Sequence, residues 1–171
     1  MDLTIKLILQ IKPRVGLEML AKKGEGLCIS RYHPAYLKNK YVLPGVTIYW
    51  LSETKGKDTI HPDNIERIVN VIKKYGKTHK KANILLDGLE YLLLYHNVEQ
   101  MLDFMNVLDK LAEKLGITLM IHADPQVIYA DREIFKIFER YLNQDPMIEH
   151  PQIFQAEGSH GVQTVANRGE L

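Results

Sequence analysis

The stretch Ile84-Leu85-Leu86-Asp87-Gly88-Leu89-Glu90-Tyr91-Leu92 decides the fold of this chain. Three consecutive apolar residues end at Asp-Gly, a pattern typical of a strand that is buried on both faces in a parallel sheet. Asp87 then stands at the carboxyl end of the strand, where ligands bind in open α/β sheets. Apolar residues followed by Asp also form the Walker B pattern, in which the carboxylate holds Mg²⁺ beside a nucleotide phosphate.

The composition indicates an ordinary globular protein with one core. A chain of 171 residues suits one compact domain, and a formal net charge of +1 does not favour a general nucleic-acid or membrane binder. One cysteine cannot form an internal disulfide, and the first residues lack the basic region of a signal peptide. No apolar run is long enough to span a membrane. We therefore predict a cytoplasmic protein without a membrane partner.

Apolar runs predict five strands, separated by segments with helical periodicity. The strands fall near residues 4–11, 26–30, 46–51, 84–87 and 117–122, and the segment 52–59 is polar and predicts a loop. Strands that alternate with helices predict right-handed crossovers. The expected fold is α/β, with a mostly parallel five-stranded sheet between two layers of helices.

The periodic pattern ends near residue 144. We predict an α/β domain over residues 1–144 and an irregular C-terminal tail over residues 145–171. The tail carries separated apolar residues but no helical or strand period. Such a segment is either mobile or held by extended contacts to a second copy or a partner protein, without joining the sheet as a central strand.

Four charged residues follow the ends of predicted strands and form the candidate site. They are Arg31, Asp87, Glu90 and Asp124. If the strands are parallel, these side chains share one edge of the sheet, and Arg31 is expected within ion-pair range of Asp87 or Asp124. Two interpretations remain open, namely a ligand or metal site and a set of ion pairs that caps strand ends.

Other polar segments of the sequence do not predict a functional site. The segment from Gln10 to Glu18 has one glycine and one proline, so it does not match the glycine-rich phosphate loop G-x-x-x-x-G-K-[ST]. A basic turn is formed by Lys77, Lys80 and Lys81. A solvated helix end explains it more simply than a nucleic-acid site does. Nucleic acid is therefore not an expected partner. Cys28 lies in an apolar strand and is expected to be buried and inert.

The order of these motifs resembles the archaeal "domain of unknown function 835" family. The resemblance is carried by Gly26-Leu27-Cys28-Ile29-Ser30-Arg31, Ile48-Tyr49-Trp50-Leu51, the Leu85 to Leu92 run and Asp124-Pro125. The layout is also similar to a RecA-like or KaiC-like ATPase core, a Rossmann-like sheet in which a long helix and a sensor strand follow the Walker B strand. The resemblance implies a degenerate core of this kind without the phosphate loop, in an archaeal cytoplasmic protein.

These observations favour a non-catalytic regulatory or scaffolding module over an enzyme. Such a module acts through contacts with a protein partner or through self-association, and the sequence gives no reason to expect a cofactor. One alternative is a nucleotide-binding or metal-binding sensor or hydrolase that uses the strand-end carboxylates with Mg²⁺. A second alternative is nucleic-acid binding through the lysine-rich turn.

Overall fold

A computed structural model describes residues 5–10 and 13–142 of the chain, which form six strands and seven helices. The strands are β1 (Ile5–Leu9), β2 (Gly26–Ser30), β3 (Val46–Leu51), β4 (Thr59–Ile60), β5 (Asn83–Asp87) and β6 (Thr118–Ala123). The helices are α1 (Arg14–Lys23), α2 (Pro34–Lys40), α3 (Ile65–Thr78), α4 (Leu89–Leu92), α5 (Val98–Leu115), α6 (Pro125–Ala130) and α7 (Arg132–Leu142).

The strands form one parallel sheet in the order β1-β6-β5-β2-β3-β4. The predicted α/β class is confirmed, but the described residues contain six strands where the sequence predicted five. The additional strand, β4, begins at the end of the predicted loop, where Trp50 and Leu51 pair with Thr59 and Ile60. Two residues are too few to show a period in the sequence, although the side chain of Ile60 is fully buried.

Helices cover both faces of the sheet and divide the core into two clusters. On one face, Leu17 and Leu20 of α1 and Leu37 of α2 pack with Cys28, Leu85 and Met120. The other face packs against α3, α5 and α7. Neighbouring apolar residues of β5 enter different clusters, with Leu85 on the first face and Ile84 and Leu86 on the second. This alternation explains why β5 is apolar throughout its length.

The direction of the connections reverses between β2 and β5. From β2 the chain continues through α2 to β3 on one side, whereas from β5 it continues through α4 and α5 to β6 on the other side. Ligand crevices in open α/β sheets lie outside the carboxyl ends of the strands at such a reversal. The ends of β2 and β5 are Ser30 and Asp87, so the fold itself places this pair at the expected crevice.

Glycine allows two close approaches in the fold. A Cβ atom at Gly16 would lie 2.6 Å from Cδ1 of Leu85, so Gly16 allows α1 to approach β5 closely. Gly26 begins β2 with a φ of +145°, and a Cβ there would lie 2.7 Å from the carbonyl oxygen of Asn83 on β5. Both glycines therefore support the packing around the β2–β5 pair.

No helix in residues 5–10 and 13–142 has the length and apolar character needed to cross a membrane. The predicted tail over residues 145–171 and its boundary at residue 144 lie outside the described residues.

Candidate functional site at the strand ends

Asp87 is buried at the end of β5 and both of its carboxylate oxygens accept hydrogen bonds. Ser30 donates its hydroxyl hydrogen from β2 to Oδ2 over 2.6 Å. Nδ1 of His122, on β6, lies 3.0 Å from Oδ1. Ser30 is 0 %, Asp87 2 % and His122 3 % exposed, so solvent does not replace these partners.

His122 faces a hydrogen-bond acceptor on each side of its ring. Nε2 lies 2.6 Å from the backbone carbonyl oxygen of Gln10, directly after β1. A carbonyl oxygen and an ionised carboxylate can only accept, so both ring nitrogens of His122 must carry hydrogen. With Asp87 ionised, the geometry therefore describes an imidazolium ion paired with its carboxylate.

The electrostatics around His122 agree with this protonation state. Burial alone lowers the pKa of the His122 ring, because it penalises the charged form. The hydrogen bond and charge of Asp87, the charge of Glu90 and the Gln10 carbonyl oppose burial and raise the pKa above its ordinary value of 6.5. The net direction is upward, and it favours the cation.

The network continues at both ends into the backbone. The hydroxyl oxygen of Ser30 accepts from the backbone N–H of Tyr32 over 3.0 Å, which fixes the turn after β2. At the other end, the side-chain oxygen of Gln10 accepts from the backbone N–H of Val15 over 3.1 Å, in the first turn of α1. Hydrogen bonds thus join the ends of β1, β6, β5 and β2 in one connected set.

Glu90 and Asp124 form a second link beside this network. Burial raises the pKa of the Glu90 carboxyl above its ordinary value, although the backbone N–H of Asp124 donates to it over 2.5 Å and opposes the shift. The Asp124 side chain accepts from the N–H of Gln126 over 2.8 Å and caps α6. The two predicted site residues are therefore brought together, with Glu90 holding the turn between β6 and α6.

Arg31 lies near the network without an ion pair to it. Its guanidinium carbon stands 5.5 Å from the ring centroid of Tyr91, and among the described residues it makes no ion pair with Asp87 or Asp124. The predicted ion pair is wrong at Asp87, whose observed partners are Ser30 and His122, and at Asp124, whose side chain accepts from the N–H of Gln126. Gly88 follows Asp87 with a φ of +120°, a backbone conformation that favours glycine, and lets the chain turn from β5 into α4.

Aromatic side chains cover the outer side of the strand ends. Tyr91 and Tyr95 meet edge to face with centroids 5.6 Å apart, and the ring of His61 meets Tyr95 in the same way at 5.7 Å. The Tyr95 hydroxyl donates to Glu53, and that hydrogen bond raises the pKa of Tyr95. Leu94 beside them is 77 % exposed. We call Arg31, Tyr91, Leu94 and Tyr95 the strand-end surface.

The metal-binding and nucleic-acid-binding alternatives can be compared with the positions of their residues in the fold. In the part of the chain that the structure describes, no group of three His, Cys, Asp or Glu side chains is arranged to hold a metal ion. The basic turn carries three exposed lysines, Lys77, Lys80 and Lys81. They precede the amino end of β5, whereas Asp87 lies at its carboxyl end. Cys28 is buried, as predicted, and burial raises its pKa.

The partners of Asp87 were missed as site residues. Ser30 and His122 both end predicted strands, but the sequence does not state which strands are neighbours. Once β5 lies between β2 and β6, the register places Asp87 directly beside His122. A small hydroxyl and a histidine at the ends of apolar strands were the available signal.

Removing the charge of Asp87 should destabilise the fold strongly. In Asp87→Asn the imidazolium of His122 loses its buried counter-ion, and breaking a buried pair in this way costs about 3–5 kcal/mol. Urea unfolding measures the change in the free energy of unfolding. Asp103→Asn removes an exposed carboxylate and should change this free energy by less than about 0.5 kcal/mol. Equal effects of the two substitutions would contradict the buried ion pair.

The contribution of His122 should depend on pH in a defined direction. Because its pKa is higher in the folded chain, its contribution is complete below the unfolded pKa of about 6.5 and is lost as pH rises through the folded pKa. Destabilisation by His122→Gln, measured by urea unfolding, should therefore be larger at pH 6 than at pH 9. A destabilisation that stayed constant or grew with pH would show that His122 is neutral in the fold.

The comparison with known proteins agrees with the resemblance seen in the motifs. No curated protein matches the chain. A family model described as "Protein of unknown function (DUF835)" matches residues 9–142, which include every residue of the network around Asp87. Because this match spans most of the chain, the protein belongs to the DUF835 family.

Proposed function

We propose that this protein is a non-catalytic regulatory or scaffolding module that acts through protein contacts. The observation that carries the proposal is the use of both Asp87 oxygens by Ser30 and His122 within the chain. A Walker B carboxylate must instead be available to Mg²⁺ beside a nucleotide phosphate. In this proposal the core is RecA-like, has lost its phosphate loop and belongs to an archaeal cytoplasmic protein.

The junction of β1 and α1 supports the same proposal. A bound phosphate uses free backbone N–H groups in the first turn of a helix. Here Gln10 accepts the N–H of Val15, while Pro13 brings no N–H group. Arg14, a possible phosphate contact by its charge, pairs with Glu18 over 3.0 Å. The N–H of Val15 and the charge of Arg14 are thus engaged by the chain itself.

The strand-end surface is the proposed contact region. Tyrosine and arginine are enriched among residues that dominate binding energy at protein interfaces, and Leu94 adds an exposed apolar side chain. The tyrosine rings are held by edge-to-face contacts and by Glu53, so they would lose little conformational freedom on binding. We propose a second copy of the chain as the first partner to examine.

The purified protein should not hydrolyse ATP in the presence of Mg²⁺ or Mn²⁺. The physical reason is that His122 and Ser30 hold the carboxylate that would bind the metal. Phosphate release is measured for the wild-type protein and for Asp87→Asn at a temperature where both are folded. Hydrolysis above background that disappears in Asp87→Asn would overturn the proposal and identify an enzyme.

Self-association through the strand-end surface should depend on Leu94. A buried glutamate at this position would be desolvated without a partner, so Leu94→Glu should weaken association at least about tenfold. Sedimentation velocity over a range of protein concentrations measures it. Val42→Glu is the matched control, because Val42 is 79 % exposed and Leu94 is 77 % exposed. A wild-type protein that stays monomeric, or equal effects of both substitutions, would argue against this contact.

A further inference from the structure

A cavity lies beside the short edge strand β4, at the opposite end of the strand order from β1 and β6. It has a volume of about 520 Å³, within the ordinary range of small-ligand sites. Its walls come from α2, from the outer part of β3 and from the turn between β3 and β4. None of its lining residues is a hydrogen-bond partner of Asp87, although Trp50 is the register partner of Ser30 on the neighbouring strand.

The charge of this cavity is positive. Lys38 of α2 and Lys55 and Lys57 of the turn line it, together with one carboxylate, Asp58. All three lysines are exposed, and none forms an ion pair with a carboxylate in the described part of the chain. Three ammonium groups around a concave surface favour an anionic ligand, because charge-assisted hydrogen bonds to phosphate are among the strongest that side chains make.

One aromatic ring of the wall has a fixed position. Nε1 of Trp50 donates to the carbonyl oxygen of Arg31 over 3.1 Å, and the ring of His33 meets the indole edge to face at 4.6 Å between centroids. Trp50 nevertheless remains partly exposed and lines the cavity. A fixed and accessible indole is suited to stacking against a flat heterocyclic base.

The turn that carries Lys55 and Lys57 is held by hydrogen bonds. The N–H of Trp50 donates to the carbonyl oxygen of Asp58 over 2.9 Å, and the Thr59 hydroxyl donates to the carbonyl oxygen of Gly56 over 2.7 Å. At its start, the N–H of Thr54 donates to the hydroxyl oxygen of Ser52 over 3.0 Å. The backbone that carries Lys55 and Lys57 is therefore held before a ligand arrives, which reduces the ordering cost of binding.

We propose that this cavity binds a nucleotide, with the phosphates at Lys38, Lys55 and Lys57 and the base against Trp50. The ligand is a free nucleotide or a nucleotide within a single strand, since both present a phosphate and a flat base. This site does not use Asp87 and is independent of the proposed non-catalytic function. ATP hydrolysis that depends on Asp87 would overturn the non-catalytic function but would not affect the proposed nucleotide site. Failure of nucleotide binding would overturn the nucleotide site but would not affect the non-catalytic function.

Trp50 provides the measurement, because it is the single tryptophan of the chain. Its fluorescence is followed while ADP, inorganic pyrophosphate or a 5′-phosphorylated single-stranded oligonucleotide is added, with N-acetyltryptophanamide titrated in parallel to correct for absorption by the ligand. We expect ADP to quench the emission and to bind more tightly than pyrophosphate, which has no base. If the oligonucleotide binds more tightly than ADP, the ligand is a single-stranded nucleic acid. If ADP binds more tightly, the ligand is a free nucleotide.

Two variants test the lysines directly. Lys55→Ala/Lys57→Ala should weaken binding of the preferred ligand at least about tenfold, and Lys38→Ala should weaken it less. Lys110→Ala/Lys114→Ala is the matched control, because it removes two exposed lysines of α5 and leaves the cavity unchanged. Binding should be unaffected by this control, and circular dichroism verifies that each variant is folded.

Three outcomes would overturn the nucleotide site. The first is the lack of any saturable signal with all three probes. The second is pyrophosphate binding as tight as ADP binding, which would leave an anion site without a base contact. The third is binding that resists Lys55→Ala/Lys57→Ala but is lost in Lys77→Ala/Lys80→Ala, which would place the nucleic-acid contact at the lysine-rich turn.

Discussion

The buried ion pair between Asp87 and His122 joins the carboxyl ends of four neighbouring strands. Asp87 and His122 are register partners on neighbouring strands, and Ser30 and the Gln10 carbonyl extend their contact to the strands on either side. A slip of one residue between β5 and β6 would separate the charges inside the core. Desolvation offsets much of the attraction in such a pair, so its clearest effect is to select one register and one packing of the strand ends.

The apolar pattern predicted the sheet because burial on two faces leaves little room for polar residues. Leu85 and Leu86 enter different core clusters, and this is visible in the sequence as an uninterrupted apolar run. The two-residue strand β4 had no such signal. The charged candidates were harder to place, because partners depend on strand order, which periodicity does not encode. Ser30 therefore occupies the position beside Asp87 that the sequence suggested for Arg31.

The segment after Asp87 carries both buried and exposed side chains within a few residues. Leu89 and Leu92 are fully buried, while Glu90 reaches across to the turn after β6. Tyr91 faces the Arg31 guanidinium, and Leu94 remains in solvent. Because the buried and exposed residues follow one another in a short segment, a partner that contacted Leu94 or Tyr91 would lie within a few residues of Asp87 along the chain. This proximity is the physical basis for considering a regulatory module.

The edge of the sheet beyond β3 presents a different problem, because unpaired backbone groups on an edge strand can pair with another chain. A very short β4 and the charges of Lys55 and Lys57 both discourage such pairing. Edge protection alone accounts for these two lysines. It does not account for Lys38, which lies on α2, or for an indole held in place by a carbonyl group and a histidine ring while lining a cavity. The proposed ligand, with a phosphate and a flat ring, would account for all four residues together, because each would contact a part of it.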